Sequence, residues 1–252
     1  MKVLKQLWNL LLLPFRISAL LNRKPSLPFM DTMDQVKTGD IFLARGRANI
    51  SRFIEFMTGS HWSHVGIIIR PSDLGIVIEG DPPHLWESTT HDDVPDFYSK
   101  QGKRGAMLVD LAKRIESNLR SGDYKVFGFR YMNIERTPEL LQAYKDFIVQ
   151  THAQTTDFPE YRDMIIDLIR HRLLGAAPGV TTYYCSELAA TTMQAVGLMP
   201  AYPVPKSYLP RDFSARGYAP FLKRATLGPE VFIGAYMRSE ERRVGKECRS
   251  RW

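Results

Sequence analysis

Residues 62–69 read Trp62-Ser63-His64-Val65-Gly66-Ile67-Ile68-Ile69, and residues 183–190 read Tyr183-Tyr184-Cys185-Ser186-Glu187-Leu188-Ala189-Ala190. The first stretch is apolar and β-branched, which predicts a strand. Alternation then places Trp62, His64 and Gly66 on one face and Ser63, Val65 and Ile67 on the other. Gly66 leaves room for another group beside the imidazole. The second stretch follows the turn-forming Pro178-Gly179 and runs into an alanine- and methionine-containing segment ended by Gly197. It predicts a helix over 185–196 with Cys185 in the first turn.

Further elements extend outward from these two. Asp40–Ala44 predicts a short strand entered through Gly39. Asn49 can cap a helix whose Ile50, Phe53, Ile54 and Met57 share a face and which Gly59 stops. Two more apolar runs, Leu74–Ile78 and His84–Ser88, predict strands, and Pro71 and Pro82-Pro83 punctuate the connections. Ala106–Leu111 predicts a strand before a polar helix near Ala112–Leu119, and Val126–Met132 another strand. Thr137-Pro138-Glu139 opens a helix to about His152. Amphipathic spacing continues over Arg162–Leu174, and Val231–Tyr236 reads as a closing strand. The chain has no internal repeat and no low-complexity segment.

The chain has 252 residues, 44% hydrophobic and 24% charged, which excludes disordered, collagen-like and multi-span membrane classes. Its net charge of +7 is concentrated at the two ends. Residues 1–30 carry Lys2, Lys5, Arg16, Arg23 and Lys24 and no acid, a balance of +5. Residues 238–252 add +3, leaving −1 for 31–237, so the domain carries no nucleic-acid footprint. Three regions follow: a basic, hydrophobic segment 1–30, a domain over 31–237, and a tail 238–252 that looks like read-through of cloning-vector sequence or a disordered end. Within 1–30, Pro14 and Arg16 interrupt the longest apolar run, well short of the roughly 20 residues that span a bilayer. Trp8, the leucines and Phe15 beside the lysines predict residues 1–29 as a helix on a membrane surface of a cytoplasmic protein. The alternatives are a signal peptide, with export, and a helix packed on the domain.

Two cysteines, Cys185 and Cys248, cannot make a disulfide framework or a four-thiolate zinc site. Cys185 at a helix start is a candidate nucleophile, because unsatisfied N–H groups and the helix dipole favour a thiolate there. The competing reading is a small buried hydrophobe. A thiol nucleophile needs a base, and His64 supplies it. A third group must hold the imidazole tautomer, and Glu87 in His84-Leu85-Trp86-Glu87-Ser88 is preferred over Glu79. Asp81, Asp92 and Asp93 sit in turn-rich loops and read as solvated. His152 and His171 fall in amphipathic helices with no catalytic assignment, and His84 and His91 are unassigned. A zinc site from His61, His64 and Cys185 is a competing arrangement, disfavoured because an odd separation turns the two histidines opposite ways.

Gly39-Asp40-Ile41-Phe42-Leu43, Trp62-Ser63-His64-Val65-Gly66-Ile67-Ile68, Trp86-Glu87-Ser88-Thr89 and Tyr184-Cys185-Ser186-Glu187-Leu188, in that order, resemble the circularly permuted papain-fold amidases, the YiiX-type branch of the NlpC-like superfamily. The similarity covers about residues 36–236. It implies an α+β fold, a twisted antiparallel sheet or open barrel with the nucleophile helix packed on it, and 137–174 as a helical insertion or lid. It also implies a Cys185–His64–Glu87 triad attacking an amide, ester or thioester carbonyl, with hydrolysis or acyl transfer as the outcome and no cofactor or metal required. The backbone N–H of Cys185 is the natural oxyanion donor. Trp62 and Tyr184 are the expected substrate-binding aromatics. With Trp86, Tyr183 and segment 1–29 they favour an acylated or amide-bearing lipid over a peptide. The rival functions are a non-catalytic papain-like lipid- or peptide-binding scaffold and a zinc-dependent regulator.

Overall fold

The computed structural model describes residues 29–46, 62–154, 184–222 and 225–233. The expected helix at 49–57, the amphipathic run 162–174, segment 1–28, Pro178-Gly179 and the tail all lie outside the described residues.

The apolar runs build one antiparallel sheet. Strands β1 (Ile41–Gly46), β2 (His64–Ile69), β3 (His84–Thr89), β4 (Gly105–Asp110), β5 (Tyr124–Arg130) and β8 (Val231–Ile233) lie in the order β4-β3-β2-β1-β5-β8. Among the described residues β4 and β8 do not pair with each other, so the sheet stays open and does not form a barrel. A separate two-stranded ladder joins β6 (Met132–Asn133) to β7 (Thr226–Leu227).

Alternation along each strand divides the core between two faces. Helix α1 (Phe29–Gln35) precedes β1, and α2 (Leu111–Ser121) runs from β4 to β5. Leu111 and Ile115 of α2 pack on Phe42, Ile68, Leu85, Met107, Phe127 and Phe129. The other face, with Ile41, Leu43, Val65, Ile67 and Trp86, is covered by α4 (Cys185–Ala195) through Leu188, Ala189, Ala190 and Met193. Helix α3 (Pro138–Gln154) joins this second layer, and its Tyr144 and Ile148 are buried in the same cluster. The first half of the region expected to be an insertion is thus built into the core. The molecule is an α+β domain with helices on both faces.

The strand expected over Leu74–Ile78 is absent. Pro71 instead starts a one-turn 3-10 helix, Pro71–Leu74, closed by Gly75 at φ 72°, and Val77 is fully exposed. Asp81 accepts hydrogen bonds from the backbone N–H and hydroxyl of Ser72, so its carboxylate closes this connection. Turn chemistry at both ends overrides the β-branched composition.

Asp40 ties the start of β1 to the far end of β5. Its carboxylate, 1% exposed, accepts from the N–H of Lys37 at 2.8 Å, the N–H of Met132 at 2.7 Å and the Arg136 guanidinium at 3.0 Å. Removing it strands a buried N–H and a partly buried cation. Asp40→Ala is therefore expected to lower stability by about 3 kcal/mol, measured by urea unfolding, whereas Glu79→Ala, at an exposed turn position, changes it by less than about 0.5 kcal/mol.

Candidate functional site

Strands β2 and β3 pair with Ile67 opposite Trp86, Ile68 opposite Leu85 and Ile69 opposite His84. Continued one step, this register sets Gly66 opposite Glu87, making His64 and Glu87 diagonal neighbours on one face. The Nε2 of His64 lies 2.6 Å from Oε2 of Glu87, with the two residues 5% and 2% exposed. A Cβ on Gly66 would fall 2.7 Å from Leu85 Cδ1 and 3.0 Å from the Trp86 carbonyl oxygen. The room expected beside the imidazole is therefore taken up by Leu85.

His64 opens β2 and Cys185 opens α4, and the thiol lies near enough to the imidazole to bear on its protonation. Glu87 occupies Nε2, so Nδ1 is the ring nitrogen left for the thiol. Cys185 is partly exposed. Glu187 steadies the helix start by accepting from the N–H of Tyr184 at 3.3 Å, the role expected of a first-turn acid. The body of α4 is fixed to the sheet by Trp86, whose Nε1–H donates to the Thr192 hydroxyl at 3.1 Å. One dipeptide of β3 therefore bears on both halves of the site: Trp86 holds the cysteine helix and Glu87 holds the His64 imidazole.

Glu87 has a second partner that the sequence reading missed. Arg114 of α2, 1% exposed, donates from Nε to Glu87 Oε1 at 2.6 Å and from Nη1 to Asp93 at 2.9 Å. Its Nη2 reaches the His91 carbonyl at 3.2 Å. Asp93 is an exposed loop acid, as expected, with 45% side-chain exposure, and its carboxylate also faces Arg114. The sequence did carry a signal for Arg114. Leu111, Ile115 and Leu119 recur every four residues, and positions 114 and 118 fall on the same stripe, so a helix that looks polar turns an arginine inward.

The electrostatics follow from burial and these partners. Burial alone would lower the His64 pKa. Hydrogen bonds to Cys185 and Glu87, and their charges, overcome this and raise it from 6.5 to about 10. Burial alone would raise the Glu87 pKa. The charge of Arg114 and the bond and charge of His64 instead bring it from 4.5 to about 2.

The remaining sequence-predicted residues have other surroundings. Trp62, 5% exposed, lies against Gly128, stacks on Phe232 at 5.7 Å and donates from Nε1 to Glu230, which leaves little of its ring for a ligand. Tyr184 is half-buried immediately before Cys185. Glu79 is exposed in a turn outside the sheet. His84 is buried, with Nδ1 on the Pro82 carbonyl. His152 pairs at 2.8 Å with Asp96, a buried carboxylate that also accepts from the N–H groups of Tyr98, Ser99 and Leu108. His61, His171, Tyr183 and Cys248 lie outside the described residues. Among the described residues, no group of three or more His, Cys, Asp and Glu is placed to hold a metal ion.

No protein-family model matches the chain. No curated protein matches it either. The solved structure of the metalloprotein YiiX from Escherichia coli O157:H7 is similar at a TM-score of 0.37 and 19% identity, over 66% of this chain and 68% of that one. The site stands on its own residues.

The two shifts set opposite ends of the stability–pH curve. A carboxyl lowered from 4.5 to about 2 contributes stability above pH 4.5 that is lost as pH falls toward 2. An imidazole raised from 6.5 to about 10 contributes stability below pH 6.5 that is lost as pH rises toward 10. Denaturant midpoints across pH are expected to show a flatter acid side for Glu87→Gln and a flatter alkaline side for His64→Gln, each relative to wild type.

Proposed function

We propose that the protein is a thiol hydrolase or acyltransferase in which Cys185 attacks an amide, ester or thioester carbonyl. The observation that carries this reading is the His64 imidazole bonded to a buried carboxylate, with the thiol of Cys185 at a helix start beside it. That is the nucleophile–base–orienter arrangement. The chain order His64, Glu87, Cys185 fits a permuted papain-like arrangement, and the cysteine helix lies on an antiparallel sheet as that arrangement requires.

The steps use only these side chains. His64, with its pKa raised to about 10, already holds the proton as imidazolium near neutral pH, so the Cys185 sulfur bonds to the carbonyl carbon as the anionic partner of that pair. Negative charge develops on the carbonyl oxygen, where the Cys185 backbone N–H at the start of α4 is the natural donor. The intermediate collapses by breaking the bond to the leaving group, which takes its proton from His64, and a thioester on Cys185 remains. Water or another nucleophile then attacks the thioester carbonyl and gives its proton to His64, the C–S bond breaks to release the acyl product, and the imidazolium–thiolate pair is restored. Glu87 orients the ring and balances the imidazolium throughout. No cofactor enters this sequence.

For the substrate, the basic and apolar composition of residues 1–29 supports an acylated or amide-bearing lipid over a peptide. No described helix is long and apolar enough to cross a membrane.

Iodoacetamide is expected to modify Cys185 near neutral pH, with Cys185→Ala removing the label and His64→Gln slowing it. Turnover of an acyl or amide substrate by His64→Gln is expected to fall by about 100-fold. An alkylation rate unaffected by His64→Gln would defeat the nucleophile–base pairing. In a separate measurement, full-length protein is expected to sediment with anionic vesicles in a salt-sensitive manner, and protein lacking residues 1–29 to remain in the supernatant.

A further inference from the structure

We propose that Arg114 is a positioning residue for the Cys185–His64 pair, acting through Glu87 by keeping that carboxylate ionised and its Oε2 turned toward the imidazole. The inference rests on the hydrolase or acyltransferase reading given above.

A glutamate with almost no water contact favours its protonated form unless a cation is close. His64 alone is an ambiguous partner, because one proton can sit on either member of a buried carboxylate–imidazole pair. Imidazolium with carboxylate and imidazole with carboxylic acid then compete. Only the first leaves a carboxylate to balance the imidazolium. Arg114 resolves this competition because a guanidinium does not give up its proton. Its Nε occupies Glu87 Oε1 at 2.6 Å, which leaves Oε2 for His64, also at 2.6 Å. The carboxylate plane is thereby held from both ends.

The guanidinium is in turn fixed by more than its charge partner. Asp93 and the His91 carbonyl, both from the loop after β3, take Nη1 and Nη2, and the Met107 sulfur of β4 lies 3.5 Å from Nη2. Leu111 and Ile115 anchor the helix on either side of it in sequence. The groups around Glu87 and its partner His64 come from every neighbouring element. His64 comes from β2, Met107 from β4, Arg114 from α2, Asp93 and His91 from the loop, and Cys185 from α4. Tyr124 of β5 packs its ring 5.8 Å from that of His64, and Asp123 lies 3.9 Å from His91. Arg114 is the fixed cation of this set. With His64 charged, two cations face the two carboxylates of Glu87 and Asp93.

The test is the rate of Cys185 alkylation by iodoacetamide against pH, on the full chain, which requires no knowledge of the substrate. Replacing Arg114 by a neutral residue should let Glu87 take a proton at higher pH, weakening the imidazolium and with it the thiolate. In Arg114→Met the acid limb of the profile is expected to move up by about one pH unit or more. Arg114→Lys, which keeps a cation, is expected to hold the limb within about half a unit of wild type. Arg114→Gln, which keeps amide donors without charge, reads the same limb if Arg114→Met does not fold. In a Glu87→Gln background, Arg114→Gln is expected to add almost no further shift, since its route is already cut. A wild-type profile for Arg114→Gln, or an equal shift with and without Glu87, would overturn the role of Arg114. Wild-type profiles for His64→Gln and Glu87→Gln would instead overturn the thiol–imidazole reading on which it rests.

Discussion

In β3 the neighbours Trp86 and Glu87 project to opposite faces of one sheet, and each ends in a hydrogen bond to a different layer, Trp86 to Thr192 of α4 and Glu87 to Arg114 of α2. This period-two constraint underlies the rest of the site. Trp86 points into the layer that holds α4 and therefore sets where Cys185 begins. Glu87 points into the layer that holds α2 and meets both His64 and Arg114. A slip of one residue between β2 and β3 would exchange the two faces, burying an indole against Arg114 and a carboxylate against Leu188. The register is protected by packing as well as by the ladder. Leu85 fills the space above Gly66, where any side chain would collide with it.

Much of this could be read from local pattern. Alternation in 62–69 and 84–88 placed His64 and Gly66 together and set Glu87 against Trp86, and the helix beginning at Cys185 was marked by its preceding turn and by Gly197. These features depend on residues a few positions apart. Leu74–Ile78 misled because β-branched residues there sit between a proline that starts a turn and an Asp81 side chain that closes it. Asp93 is exposed as read, and its partner was hidden because a loop acid gives no sign that the helix beside it carries a buried arginine. Which carboxylate meets which cation depends on the order of strands across the sheet, and no local pattern encodes that order.

Arginine also secures the irregular parts of the chain. Arg70 donates to the carbonyls of Met33, Val36 and Asp81. Arg130 reaches those of Phe213, Ser214, Leu227 and Gly228. Arg136 joins Thr38, Ile134 and Met132 carbonyls to Asp40. Carbonyls in loops and near the ends of helices and short strands still need donors once water is excluded, and a planar five-donor group satisfies several at once. The four described arginines that grip the fold in this way, Arg114 included, explain how strands joined by long connections can share one rigid sheet.

The indole of Trp62 bonds to Glu230 across 168 residues of sequence, and its ring rests on Phe232 of β8. The strand that opens the reactive stretch is therefore packed from above by the last strand described. On a ribosome, His64 and Glu87 emerge early, while the cysteine helix and then β8 emerge much later. Contacts of such long range are closed only after large loop entropies have been overcome, so this half of the molecule is expected to consolidate late and slowly. The thiol and the histidine thus come together near the end of folding, and a nascent chain spends most of its synthesis with the two apart.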